Sequence, residues 1–117
     1  MNFPRPDEES KEFFASVIPK DPRVKVRPMF GNQAAFVNGN MFAGLFGDSL
    51  FVRLPDKARN ELLQSSGAAT FEPMEGRPMK EYVVIPRAWR DRPETARAWI
   101  ARSLEWVGEL PAKVKKR

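Results

Sequence analysis

Two turn-forming dipeptides divide the middle of this chain into short apolar segments, and they constrain its fold more than any other feature. Asn38-Gly39 follows a segment that ends at Val37, and Gly47-Asp48 separates residues 41–46 from residues 50–54. Asn-Gly suits the two positive-φ positions of a type I′ turn, and Gly-Asp suits a type II′ turn. Both turns close tight antiparallel hairpins. The sequence therefore predicts a three-stranded antiparallel meander.

The segments before and after the meander predict two helices and a first strand. Residues 7–18 begin with three acidic side chains and stop before Pro19, which is typical of a helix. Residues 24–27 alternate apolar and basic side chains and predict a strand that leads into a turn at residues 29–31. A short crossover helix is expected to begin at Pro55-Asp56, with Gly67 as its C-terminal cap.

The last third of the chain predicts a further strand pair and a long helix. Strands are expected at residues 69–72 and 79–85, separated by a loop that contains Pro73 and Pro78. Asp91 and Glu94 resemble a capping box, and apolar side chains recur at helical spacing up to residue 110. The predicted fold is α+β. One antiparallel sheet of about five to six strands, a meander plus a hairpin, packs with an N-terminal helix, a crossover helix and a long C-terminal helix.

The motif order carries a family resemblance. Met29-Phe30-Gly31, the hairpin, Leu50-Phe-Val-Arg-Leu54, the helix and Tyr82-Val-Val-Ile-Pro86 follow one another as in the N-terminal domain of the TfoX/Sxy competence-regulator family. The resemblance spans roughly residues 24–110. It implies the same layout and a non-catalytic regulatory or interaction module linked to transcriptional control of DNA uptake. The longer regulators of that family carry a second, C-terminal domain, and 117 residues leave room for the first only.

Composition narrows the classes of function. The 117 residues contain no Cys and no His, which removes disulfides, thiolate nucleophiles, imidazole bases and the usual zinc ligands. The hydrophobic share of 42% suits a single core, so one domain is expected over residues 1–112. No apolar run reaches the roughly 20 residues that span a bilayer, and no secretory signal is recognised. We expect a cytoplasmic protein with no cofactor and no membrane contact.

A polar cluster is the first candidate site. Arg53, Arg77, Lys80, Glu81 and Tyr82 stand on or beside predicted strand positions, and two guanidinium groups could hold a phosphate or carboxylate. Such a site makes a small-anion-binding protein one alternative function. The competing interpretation is that these cations form solvated ion pairs with neighbouring glutamates.

Acid–base chemistry or a metal site would need converging carboxylates. Asp48, Glu72, Glu75 and Glu81 are the candidates, but their spacing follows no motif that names a mechanism. Asp48 is explained by turn chemistry alone. We therefore expect no enzyme activity, no catalytic residue and no metal ligand.

A basic C-terminal tail, residues 113–117, makes direct nucleic-acid binding the second function to weigh. The net charge is +5, and the tail carries four of the 20 basic residues, leaving 16 basic and 15 acidic residues in 1–112. The helical arginines 87, 90, 92, 97 and 102 could assist through phosphate contacts. The alternative is a solubilising tail. The candidate nucleic-acid contacts are Lys113, Lys115, Lys116 and Arg117.

The aromatic surplus suggests a protein interface. Phe42, Phe46 and Phe51 alternate with the apolar residues of the second and third meander strands, so all three are expected on one sheet face. If helices cover only the other face, these rings form a patch for another protein, such as a regulator or the transcription machinery, or for a homodimer. If both faces are covered, the rings belong to the core.

Overall fold

The structure, a computed structural model, describes residues 4–29 and 32–112. The elements in chain order are α1 (Glu8–Val17), β1 (Val24–Met29), β2 (Asn32–Val37), β3 (Asn40–Phe46), β4 (Ser49–Arg53), α2 (Asp56–Leu63), β5 (Ala69–Met74), β6 (Arg77–Val84), a 3₁₀ helix (Arg87–Asp91) and α3 (Pro93–Gly108).

The strands form one six-stranded sheet in the order β1-β2-β3-β4-β6-β5, and every neighbouring pair is antiparallel. The predicted α+β layout with its three helices is confirmed. After β4, helix α2 leads the chain to β5 at the edge of the sheet. Strand β6 then returns and fills the position between β5 and β4. Strands β1 and β5 are the two edges.

Both turns of the meander have the predicted backbone. Asn38 and Gly39 have φ angles of 52° and 78°, as a type I′ turn requires, and Gly47 has a φ of 62°, which suits the first position of a type II′ turn. The Asn38 side chain also donates to the carbonyl oxygen of Gly108 at 3.2 Å. The first turn is thus tied to the end of α3.

Three local predictions are wrong. Helix α2 ends at Leu63, and Gly67 lies in a later turn with a φ of 92°. The Asp91 capping box does not form, because Asp91 ends the 3₁₀ helix and α3 begins at Pro93 with Arg92 as its N-cap. The expected loop over residues 73–78 is a two-residue turn between β5 and β6. Its prolines are tolerated since β5 is an edge and β4 pairs with β6 only at residues 82–84.

All three helices cover one face of the sheet. Phe14 of α1, Leu62 of α2 and Ile100 of α3 lie in one buried cluster with sheet residues that share a single strand phase. Those sheet residues are Ala35, Val37, Ala43, Leu45, Leu50, Val52 and Val83. We call this the helix-covered face, and the opposite side of the sheet the open face.

A β-bulge interrupts β3 and changes which residues face the helices. Ala35 pairs with Ala43 and Phe36 pairs with Met41, so Phe42 is an extra residue on its strand. Phe42 is fully buried in the cluster on the helix-covered face. Its side chain lies on the same face as that of Ala43, although neighbouring residues of a regular strand face opposite sides. The side chain of Ser103 closes the gap, because its hydroxyl lies 2.7 Å from the Phe42 carbonyl oxygen and 2.6 Å from that of Arg53.

Candidate functional site

The open face is defined by strand alternation and pairing from β1 to β6. Its positions are Lys25, Arg27, Met29, Asn32, Ala34, Phe36, Met41, Gly44, Phe46, Ser49, Phe51, Arg53, Tyr82 and Val84. The ring contacts of Phe71 with Phe46 and Phe51 place Phe71 on the same side, and Met79 is its partner across the strand pair. In the described part of the chain, the helix residues of the buried cluster pack on the opposite side of the sheet.

An aromatic cluster fills the centre of the open face. The Phe51 ring stacks on Phe71 with centroids 4.1 Å apart, and Phe46 and Tyr82 approach edge-on at 5.5 Å from Phe71 and 5.6 Å from Phe51. Phe51 is 1% exposed although no helix lies over it. Among the residues that the structure describes, these rings pack against one another rather than under a helix, and they make the centre of this face apolar.

Gly44 makes this arrangement sterically possible. It pairs with Phe51 across β3 and β4, and a Cβ added to Gly44 would lie 2.4 Å from the Cζ atom of the Phe51 ring. A side chain at position 44 would therefore displace the ring. The glycine lets the ring lie flat over the neighbouring strand.

The predicted patch of Phe42, Phe46 and Phe51 is corrected by the bulge. Phe42 belongs to the helix-covered face, and only Phe46 and Phe51 lie on the open face. Strict alternation along β3 would place Phe42 and Phe46 on one face beside Phe51 of β4, but one extra residue on β3 reverses the phase of the residues before it. The open-face residues that alternation could have added are Phe36 and Phe71.

Arg53 lies at the border of the open face in a network of its own. Its Nε donates to the Glu81 carboxylate at 2.7 Å, and its side chain is 21% exposed. The guanidinium group also lies 5.9 Å from the centroid of Tyr82 and 5.7 Å from that of Trp106. The Arg53–Glu81 pair agrees with the ion-pair interpretation of this cluster.

Tyr82 connects this network to the bulged strand. Its hydroxyl donates to the carbonyl oxygen of Met41 at 3.2 Å, and its ring is half-buried. Burial raises the pKa of Tyr82, Glu81 raises it further, and Arg53 lowers it. The neutral phenol is thus the form that this environment favours.

The structure brings together four of the five predicted polar residues. Arg53, Lys80, Glu81 and Tyr82 line one shallow depression of about 460 Å³ with Asn40 and Met79. Arg77 is not part of it. It pairs with Met74 beside the β5–β6 turn, whereas Arg53 pairs with Tyr82 five residues further along β6. Arg53 and Arg77 therefore do not converge on one anion.

The carboxylates do not assemble either. Asp48 pairs with Arg87, Glu72 accepts from the backbone N–H of Gly76 at 2.9 Å, and Glu81 pairs with Arg53. The described residues contain no group of three acidic side chains placed to hold a metal ion.

The predicted nucleic-acid contacts Lys113, Lys115, Lys116 and Arg117 lie outside the described residues. Of the helical arginines, Arg97 donates to the Ser16 carbonyl oxygen, and Arg102 lies 4.3 Å from the Trp99 ring centroid. Arg90 donates to the Ser10 hydroxyl at 2.9 Å and to the Asp48 carbonyl oxygen. Arg97 thus connects α3 to α1, and Arg90 connects the 3₁₀ helix to α1 and the β3–β4 turn.

Sequence reasoning missed the methionines and the basic edge of the open face. Met29, Met41 and Met79 are half-buried there, and Lys25 and Arg27 are exposed on β1. Arg27 lies 5.5 Å above the Phe36 ring centroid. The alternation of β1 and β2 contained this information, because Lys25 and Arg27 occupy the phase opposite to Val24 and Val26.

Comparison with known proteins agrees with the fold and the motif order. The family model described as the TfoX N-terminal domain matches residues 12–106, which is most of the chain. No curated protein matches the sequence. None of the helices that the structure describes is long and apolar enough to cross a membrane. With a matched segment that runs from α1 through the whole sheet into α3, the chain belongs to the TfoX N-terminal domain family.

Proposed function

We propose that this domain is a non-catalytic regulatory module that binds a protein partner through the open face of its sheet. The main support for this interface is the asymmetry of the sheet. Three helices bury one face, whereas the other presents half-buried Phe36, Met41 and Tyr82 next to the exposed cations Lys25 and Arg27. Apolar surface ringed by polar groups is the usual composition of a protein interface.

Membership of the TfoX N-terminal domain family supports a regulatory role. We propose that the role is transcriptional control of the kind associated with competence regulators, exerted by contact with another regulator or with the transcription machinery. The partner meets the domain in the cytoplasm. Turnover of a substrate is not part of this proposal.

The test is site-specific crosslinking in the source cell. A photoreactive benzoyl-phenylalanine at position 36 preserves an aromatic side chain on the open face, and the same group at position 101 lies on the exposed side of α3. We expect a discrete protein adduct from position 36 that is absent from position 101. Equal adducts from both positions, or none from position 36, would refute an open-face interface.

Transcript profiling tests the regulatory part separately. Cells that carry Phe36→Asp should show the transcript changes of cells that lack the protein, since a buried carboxylate would disrupt the interface. A screen of the purified protein against substrate classes should find no turnover. Specific turnover that is lost on substitution of Arg53, Arg77 or Glu81 would overturn the non-catalytic proposal.

Direct nucleic-acid binding is the second candidate, and the net charge of +5 favours it. Fluorescence-anisotropy titration of a labelled DNA duplex at several salt concentrations decides it, with the full chain compared with one that ends at Pro111. Micromolar binding that weakens steeply with salt and falls on truncation would support it. Equal, negligible binding by both forms would leave the protein-partner module.

A further inference from the structure

We infer that the open face accepts an acidic, extended peptide segment whose apolar side chain rests on Met41 and Phe36, between cations at the two ends of one row of residues. This inference rests on the proposed function and gives the partner its chemistry. The row crosses four adjacent strands. Lys25 pairs with Phe36 and Phe36 pairs with Met41, and Arg53, which pairs with Tyr82, lies on β4 beyond the bulge residue Phe42 rather than directly opposite Met41.

The methionines make the centre of the row suitable for a peptide. Met29, Met41 and Met79 are half-buried on the open face, whereas the buried cluster under the helices contains no methionine among the residues that the structure describes. Methionine is unbranched and polarizable, and it adapts to the shape of a partner's side chain. Its segregation to the uncovered side favours a binding surface over a packing role.

The aromatic rings of this face are poorly placed to stack on nucleic-acid bases. Phe51 is stacked on Phe71, Arg27 lies over Phe36, and Arg53 lies over Tyr82. Base stacking needs a free ring face. The surface therefore presents methionine side chains and guanidinium groups, which suits a peptide better than a single strand of nucleic acid.

The charge of the face selects an acidic partner. Open-face positions on β1 to β4 hold Lys25, Arg27 and Arg53 and, within the described residues, no carboxylate. Glu81 pairs with Arg53. A second copy of this domain in the same orientation would bring like charges together, which is unfavourable. Carboxylates on the partner would meet Lys25 at one end of the row and would compete with Glu81 for Arg53 at the other.

The spacing of the cations sets the pattern of the peptide. Lys25 and Arg53 are three strand intervals apart, which is about 14 Å at roughly 4.8 Å per interval. An extended peptide covers about 14 Å in roughly four residues, and alternate side chains point the same way. The expected pattern is acidic, any, apolar, any, acidic.

The probe is a capped peptide with the sequence Gly-Glu-Thr-Leu-Thr-Glu-Gly, titrated into the full chain labelled at the methionine methyl groups and followed by NMR. Three matched ligands accompany it: a peptide with both glutamates replaced by lysine, one with the leucine replaced by serine, and a single-stranded oligo(dT). We expect saturable shifts of the Met41 methyl with the acidic peptide and shifts of at most a tenth of that size with the lysine peptide.

Paired charge reversals test the cation assignment. Lys25→Glu with Arg27→Glu should weaken binding of the acidic peptide about fivefold to tenfold, because exposed ion pairs contribute modestly. Lys57→Glu with Arg92→Glu makes the same change of net charge at exposed positions away from the sheet and should leave binding within about twofold, because exposed charges beyond a Debye length are screened. The spectra of the variants verify that each one is folded.

Several outcomes would overturn the inference. A Met41 methyl that does not move with the acidic peptide, equal binding of the lysine peptide, or tighter binding of oligo(dT) at the same methyls would each do so. If position 36 still crosslinks to a protein in the cell, only the acidic-peptide chemistry fails. If that crosslink is also absent, the protein-partner function fails with it.

Discussion

The two faces of this sheet bury their central rings by different means. On the helix-covered face, Phe42 is buried under side chains from three helices. On the open face, Phe51 is 1% exposed because Phe71 and Tyr82 pack against it from the same sheet. Within the described part of the chain, Phe51 is thus buried by neighbouring rings rather than by a helix. A small aromatic cluster can shield its own centre and still leave its rim available to a partner.

The difference has consequences for stability and for function. Residues of the helix-covered face fix the relative positions of α1, α2, α3 and the sheet, so a substitution there affects the whole domain. Residues at the rim of the open face touch few neighbours and can change with smaller effects on folding. A surface of this kind is where binding can evolve without loss of the fold.

The largest effect is expected from removal of a ring on the helix-covered face. Phe42→Ala should lower the free energy of unfolding by about 3–5 kcal/mol, as expected for a fully buried phenylalanine. Phe46→Ala removes a half-buried ring that packs edge-on against Phe71 on the open face and should cost clearly less, about 1–2 kcal/mol. Urea denaturation of both variants measures the contrast, and equal losses would show that the two faces do not differ in this way.

A smaller loss is expected from a methyl group placed under the aromatic cluster. Gly44→Ala should destabilise by about 1–3 kcal/mol, because the new Cβ would overlap the Phe51 ring. The double variant with Phe51→Leu should lose less than the sum of the two single changes, since leucine has no ring over position 44. Additive losses in urea denaturation would mean that the ring is not the obstacle.

The bulge should depend on one hydroxyl group. Ser103→Ala leaves the carbonyl oxygens of Phe42 and Arg53 without this donor and should cost about 1–3 kcal/mol. Ser16→Ala removes an exposed hydroxyl bond to the Phe13 carbonyl oxygen and should cost less than about 0.5 kcal/mol. Thermal unfolding compares the two, and similar melting temperatures would argue against a structural role of Ser103.

The smallest effect is a pH dependence from the open face. Burial raises the pKa of Tyr82 above its ordinary value of 10.0, so the fold favours the neutral phenol. This contribution is complete below the pKa of the unfolded chain and is lost as pH rises through the folded pKa. Relative to Tyr82→Phe, the native protein should lose stability above about pH 10.

Tyr82 is the only tyrosine, so ultraviolet absorbance of the ionised phenol reports it directly in the folded and the urea-unfolded chain. An identical midpoint in both states would contradict the effect of burial. The same titration in Arg53→Met tests the opposing influence of the guanidinium group. Removal of that cation should move the midpoint upward.

The sequence was most informative where local chemistry decides the structure. Asn38-Gly39 and Gly47-Asp48 predicted both hairpins, and their φ angles agree with that prediction. The acidic start of α1 was also recognised, and Asp7 caps that helix by accepting from the Ser10 N–H. The prediction made from the prolines was less accurate. Pro73 and Pro78 predicted a loop, but the positions of β5 and β6 in the sheet allow both residues to remain in strands.

The candidate site was predicted only in part. Arg53, Lys80, Glu81 and Tyr82 are neighbours as expected, because they share adjacent strands near one register position. Arg77 was misplaced, since a shorter turn carries it to the far end of the hairpin. The alternation of β1 indicates that Lys25 and Arg27 share a face, but only the pairing of β1, β2 and β3 shows that Met41 lies on the same face.

The sequence by itself determined the turns, the element order and the alternation of each regular strand, because backbone preferences and side-chain periodicity are local properties. Only the tertiary structure decided which face of the sheet the helices cover and which face remains open. It also decided the position of the β3 bulge, where the hydroxyl of Ser103 on α3 is within hydrogen-bond distance of carbonyl oxygens on two strands. That choice depends on contacts between residues far apart in the chain, and no local pattern around Phe42 records it.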